Sequence, residues 1–183
     1  MIKRFDHSVL RQRLGWWLGL HPVQREVHCA ERLAGLGLPV VPIESCGIEG
    51  GRGWLMTPYA GPSLQGVLER REASRGQVRA WSRALGRMTG AMLARGWWNR
   101  DLKTSNVLVD ASGGLWMIDT GGARRTGGRL ERPLRVMARL LVKTATQDLG
   151  RPLREGERAA FLAGLREKAP LAVSVLRRAS VPL

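Results

Sequence analysis

Residues Asn99-Arg100-Asp101-Leu102-Lys103-Thr104-Ser105-Asn106 form a polar run between apolar stretches, and the fold is decided by how that run is read. After it come Asn106–Asp110 (N-V-L-V-D) and Leu115–Ile118 (L-W-M-I), two short apolar segments joined by Ala111-Ser112-Gly113-Gly114, which is a hairpin signal. The hairpin returns Asp119-Thr120-Gly121-Gly122 to the neighbourhood of Asn106, so that a side-chain amide and a carboxylate can face one cleft. Upstream lies the clearest helix, about Arg75 to Arg95. Val78, Trp81, Leu85, Met88 and Met92 recur at three- and four-residue intervals, and Gly96 ends it. A lone Asp-x-x-x-x-Asn would carry no information. Here the polar run, the hairpin, the second carboxylate and the preceding helix agree with one another.

The run resembles the catalytic loop of the protein-kinase superfamily, H-R-D-L-K-x-x-N, and Asp119-Thr120-Gly121 resembles its D-F-G metal motif. The resemblance implies an ATP-dependent phosphotransferase with a role for each position. Asp101 would orient the acceptor hydroxyl and take its proton, and Lys103 would balance charge on the transferred phosphoryl group. Asn106 and Asp119 would hold Mg²⁺, a hard ion that prefers oxygen ligands. Lys3 would hold the α/β-phosphates and pair with Glu26 on the following helix, with Glu31 as the competing choice. Met56–Gly61 resembles the hinge, where backbone groups of Thr57 and Tyr59 would bond adenine. The sequence departs from the pattern at Asn99 (usually histidine) and Thr120 (usually phenylalanine). It also begins at the lysine strand, so the Gly-rich phosphate loop is expected to be missing, and activity is conditional on that loop.

Outward from this centre, Met1–Phe5 reads as a short strand and about Ser8–Leu20 as a basic, Trp-containing helix. Pro22 suits the first turn of a helix reaching about Ala34, with Val23, Val27, Ala30 and Ala34 as its buried stripe. Val40–Ile43 and Trp54–Met56 read as strands around a Gly-rich turn at Gly47–Gly53. Ser63, after the Gly61-Pro62 break, is a plausible N-cap. From Pro133 the chain turns helical again, over about 133–148, 155–168 and 170–179. The expected class is α+β: a protein-kinase-like bilobal fold with a truncated N-lobe (1–60) and a short helical C-lobe (61–183).

Composition bounds the rest. Thirty Lys and Arg oppose fifteen Asp and Glu, giving a net charge of +15. That balance favours polyanionic partners, though 26 arginines against four lysines also fits a GC-rich genome spelling its surface charge with Arg. No signal peptide or membrane-spanning run is visible, and the two cysteines match no zinc spacing, so a cytoplasmic location is expected. No zinc finger, RNA-binding aromatic motif or basic zipper supports a nucleic-acid partner.

Within the superfamily the chain is most similar to the lipopolysaccharide core (Kdo/heptose) kinases. The similarity is carried by K-R-F near the start, R-E-V-H-C-A-E-R-L-A-G-L-G-L-P-V-V-P-I, N-R-D-L-K-T-S-N-V-L-V and W-M-I-D-T-G-G-A-R. It implies a sugar hydroxyl of an anionic inner-core glycolipid as acceptor, met at the cytoplasmic face of the inner membrane. Arg11, Arg13, Trp16, Trp17, Arg124, Arg125 and Arg129 could supply the peripheral contact, or could be a solvated face with partly buried tryptophans. The alternatives are another kinase-like enzyme, acting on protein or a small molecule such as an aminoglycoside, and an inactive pseudokinase serving as a binding module.

Overall fold

The computed structural model describes residues 1–5, 14–18, 21–50 and 52–178. The class is α+β, with three small antiparallel sheets among packed helices. Strand β1 (Ile2–Phe5) pairs with β3 (Arg52–Met56), which pairs in turn with β2 (Ser45–Glu49), so β3 is central. Lys3 stands opposite Leu55 in that register. Helix α1 (Pro22–Gly35) lies between β1 and β2 in the chain.

The strand expected at Val40–Ile43 is displaced to Ser45–Glu49. Pro39 and Pro42 lack the N–H that a ladder requires, so the segment makes a single parallel bridge, Val40 to Met117, and β3 takes its partner further on. The buried stripe of α1 is also rotated from the expected one. Val23, Glu26, Cys29, Ala30 and Leu33 are buried, whereas Val27 is half-buried and Ala34 exposed. A carboxylate therefore sits in the middle of the packed face. Of the helix expected at Ser8–Leu20, residues 14–17 are helical and Leu18 lies in a turn, while residues 8–13 and 19–20, with Arg11 and Arg13, lie outside the described residues.

The helices that follow agree closely with the periodicity. Ser63 caps α2 (Leu64–Glu69) by accepting from the Gly66 N–H at 3.1 Å, and α3 runs Arg75–Ala94 with all five expected core residues buried. After the central segment come α4 (Glu131–Leu149), α5 (Glu155–Lys168) and α6 (Pro170–Arg178). Helices α3 and α5 approach so closely that a Cβ on Gly86 would stand 2.1 Å from the Phe161 carbonyl oxygen. One on Gly164 would stand 2.0 Å from that of Arg83. Glycine is what lets the two backbones touch.

The segment between these helices is a long, twice-paired hairpin. Strand β5 (Val107–Val109) pairs with β6 (Leu115–Met117), as expected. Not expected was the second ladder, β4 (Trp97–Asn99) with β7 (Ala123–Arg125), in which Asn99 stands opposite Ala123. Residues 100–106 thus leave β4 and enter β5, while 118–122 leave β6 and enter β7. Two polar loops are pinned at both ends and forced side by side.

Candidate functional site

Each loop carries a 3₁₀ turn, Thr104–Asn106 in the first and Thr120–Gly122 in the second. Asn99 ties them together from the end of β4. Its Oδ1 accepts the Asp101 N–H at 2.9 Å, and its Nδ2 donates to the Asp119 carbonyl at 3.3 Å. Asn106 donates to the Asp101 carbonyl at 2.9 Å, while its own carbonyl accepts the Ile118 N–H at 3.0 Å. The first loop is also anchored from below: Thr104 donates its hydroxyl to buried Asp148 on α4 and its N–H to the Thr144 hydroxyl. Burial raises the Asp148 carboxyl above its ordinary range, against the lowering effect of the Thr104 hydrogen bond.

Asp119 adopts the left-handed conformation, φ 55° and ψ 58°, which Asp and Asn tolerate better than most side-chain-bearing residues. Immediately beyond it the backbone is crowded. A Cβ on Gly121 would lie 2.7 Å from Glu26 Oε2, and one on Gly122 would lie 2.2 Å from Asp101 Oδ2. A side chain at either position would have to push the Glu26 or Asp101 carboxylate aside.

Glu26 reaches this loop from the buried face of α1. It accepts from the Thr120 N–H and from the Thr120 hydroxyl at 3.1 Å, and from the Gly121 N–H at 2.9 Å. Lys3 on β1 completes the group, with Nζ 2.7 Å from Asp119 Oδ1 and 3.8 Å from Glu26 Oε2. Burial pushes the Glu26 carboxyl above its ordinary value of 4.5, and the nearby Asp119 charge pushes the same way. Lys3 and the loop N–H groups oppose both. Because the native state holds the Glu26 proton more tightly, folding gains a contribution that is complete below about pH 4.5 and is lost as pH rises through the raised value. Urea denaturation from pH 4 to 7 should therefore show the protein losing stability relative to Glu26→Gln as pH rises; a protein that gains stability relative to the variant as pH rises would contradict this.

The cleft above these groups has a volume of about 320 Å³. Lys3, Glu26, Asn106, Asp119 and Thr120 line one side, and Ile2, Ala30, Val40, Val41, Ile43 and Leu55 the apolar remainder. Thr57 lines it too, but not as expected. Its backbone N–H and carbonyl are both paired with Met1, while its buried hydroxyl oxygen has no hydrogen-bond partner. Tyr59 stands outside the cleft with 78% of its surface exposed, because the chain leaves the sheet at Met56. Neither Lys103 nor Asp101 lines the cleft. Glu31 is exposed, so of the two glutamates considered the structure brings only Glu26 to Lys3.

Sequence reasoning missed three contributors. Thr120 and Asn99 were read as departures from a pattern, yet both crosslink the loops through hydrogen bonds. Asp148 carried no local signal, since nothing in an amphipathic helix marks which polar residue will turn inward. Arg124, expected on an outer basic face, instead donates to the carbonyls of Gly121 and Ala123 at 3.1 and 2.7 Å. Arg125 stacks over Trp97 at 5.4 Å.

Among the described residues no cluster of three or more His, Cys, Asp and Glu could enclose a metal, and no helix is long and apolar enough to cross a membrane. Protein-family models give no match to the chain, and none is found among curated proteins.

Proposed function

We propose that the chain is an ATP-dependent phosphotransferase with a protein-kinase-like, two-lobed fold, its acceptor a sugar hydroxyl on an anionic lipopolysaccharide-core glycolipid. The observation that carries this reading is the convergence of Lys3 and Glu26 on Asp119, from positions remote in sequence, in one cleft with Asn106 and beside the loop of Asp101. A structural turn before a hairpin has no need of a cation and two carboxylates gathered at a cleft.

The residues present fit a magnesium nucleotide. Asp119 Oδ2 and Asn106 Oδ1 have no partner among the described residues, and both side chains line the cleft. One carboxylate and one amide suit Mg²⁺, which keeps several waters and takes its other ligands from phosphates. The orphaned Thr57 hydroxyl and the apolar wall suit a base ring. Bound there, the ion would neutralise charge on the phosphates during transfer.

The chain's own groups do the rest. Lys3 exchanges its bond to Asp119 for the nucleotide phosphates, and Glu26 keeps its ammonium aimed at the cleft. Asp101, whose carboxylate lies 3.3 Å from Arg100 Nε, accepts the proton of the acceptor hydroxyl. Asn99 holds the Asp101 and Asp119 backbones in register. The glycolipid acceptor rests on the likeness to lipopolysaccharide core kinases and on the net charge of +15. A cytoplasmic protein working at the inner-membrane face is the corresponding location.

Transfer from labelled ATP to core glycolipid, dependent on Mg²⁺, tests the reading directly. Transfer only to protein or aminoglycoside would replace the acceptor, and nucleotide binding without transfer to any acceptor would make the chain a binding module. Lys3→Ala should weaken ATP binding by roughly tenfold to a hundredfold, the range for losing a charge-assisted hydrogen bond, and leave acceptor affinity unchanged. Unchanged ATP affinity would remove Lys3 from the site.

A further inference from the structure

The largest groove among those described is not the nucleotide-sized cleft. It lies where the start of α4 meets α6 and has a volume of about 1090 Å³. Arg129, Arg132 and Arg135 line it, and the one acidic residue in its wall, Glu131, is already bound to Arg135. The Arg135 Nε is buried without a hydrogen-bond partner. Arg129 and Arg132 are exposed, and neither side chain has a partner among the described residues. The groove therefore presents uncompensated positive charge.

Its other wall sets Leu171 and Val175 beside Ser174, in a place where a surface helix is normally polar. Helix α6 buries Ala172, Val173 and Leu176 in the core, which satisfies its amphipathic requirement. Leu171 and Val175, one turn apart on a second face, line the groove instead, and Leu171 is 73% exposed. Arginines beside an exposed leucine match an anionic amphiphile: phosphate for the guanidinium groups, hydrocarbon for the aliphatic edge. A second copy of a chain with net charge +15 would be repelled. No aromatic side chain lines the groove to stack a nucleobase.

We propose that this groove docks the protein on a bilayer rich in anionic phospholipid, Arg129 and Arg132 meeting lipid phosphates while Leu171 enters the acyl boundary. The proposal does not depend on the phosphotransferase reading, because none of these residues belongs to the cleft. Net charge alone would draw the chain to any anionic surface, so the test must separate the groove from the bulk charge.

Binding is measured by co-sedimentation with phosphatidylglycerol/phosphatidylcholine vesicles at roughly 0.15 M salt, where long-range attraction is screened. Arg129→Glu/Arg132→Glu is compared with Arg75→Glu/Arg79→Glu, four exposed arginines whose replacement changes net charge equally. The groove pair should lower vesicle affinity by at least about tenfold and the α3 pair by less than about threefold, since basic residues contribute only within a Debye length of the surface. Leu171→Ser should lower it by about threefold or more through lost hydrocarbon contact. Equal losses for the two pairs, or no loss for Leu171→Ser, would overturn the proposal. So would a groove pair that loses affinity for a polyglutamate peptide while keeping its affinity for vesicles, because the occupant would then be an acidic protein segment. Circular dichroism of each variant establishes that the fold is retained.

Discussion

Asp119→Asn is expected to lower phosphoryl transfer on the order of 10³-fold while leaving the chain folded, the scale on which removing one preorganised electrostatic group from such a site acts. Asparagine is the informative replacement because position 119 has φ 55°, a conformation that Asn shares with Asp and that alanine would adopt only under strain. The substitution therefore removes charge without disturbing the backbone. Two consequences separate this from a general loss of structure. Mg²⁺-dependent nucleotide binding should fall together with turnover. Lys3 also loses its 2.7 Å partner and is left with Glu26, whose carboxyl should ionise more readily once the Asp119 charge is gone. Asp101→Asn is the companion. Losing the proton acceptor should cost roughly 10² to 10⁴ in turnover with nucleotide affinity retained. Full turnover in either variant would refute the assigned roles.

The largest effect on stability is expected at the crossing of α3 and α5. An Ala for Gly replacement inside a helix normally stabilises by roughly 0.5–1 kcal/mol. At Gly164 the new methyl group would stand 2.0 Å from the Arg83 carbonyl oxygen and 3.0 Å from the Arg87 nitrogen, both of them backbone atoms that cannot turn aside. The helices must separate. Gly164→Ala should therefore destabilise by about 1–3 kcal/mol, the range for overpacking, with Gly86→Ala acting on the other partner of the same contact. Gly156→Ala on the same helix, where the nearest atom is 3.7 Å away on the Arg79 side chain, should cost nothing. Urea midpoints of the three variants measure this; a stabilised Gly164→Ala would mean that the helices do not meet there.

Much of the fold could be read from the sequence because the deciding signals are local. The α3 periodicity, the Ser63 cap and the Ala111–Gly114 turn each act within a few residues, and each element appears where those signals put it. The strand at Val40–Ile43 failed because β-branched residues were weighed above Pro39 and Pro42. The β4–β7 ladder went unseen because three-residue strands, Trp97–Asn99 and Ala123–Arg125, have too little length to show a period of two. For the candidate site, the spacing of Asp101, Asn106 and Asp119 was legible as a motif. Glu26 was harder. It stands among apolar positions on the buried face, where hydrophobic periodicity expects no charge; the likeness to a lysine–glutamate pair named it beside Glu31, and the loop N–H groups, the Thr120 hydroxyl and Lys3 waiting opposite explain it.

The Lys3–Asp119 contact joins residues separated by 116 positions. Closing a loop of that length costs roughly 4 kcal/mol of chain entropy, from the logarithmic dependence on length. A salt bridge whose side chains are 35% and 39% exposed returns under about 1 kcal/mol. The ion pair therefore does not hold these two segments of the chain together. That work falls to the buried stripe of α1, where Val23, Ala30 and Leu33 remove apolar surface from water at about 25 cal/mol per Å². Lys3 is thus delivered to Asp119 by hydrophobic packing elsewhere, and its ammonium group can be drawn away by a ligand with little loss to the fold.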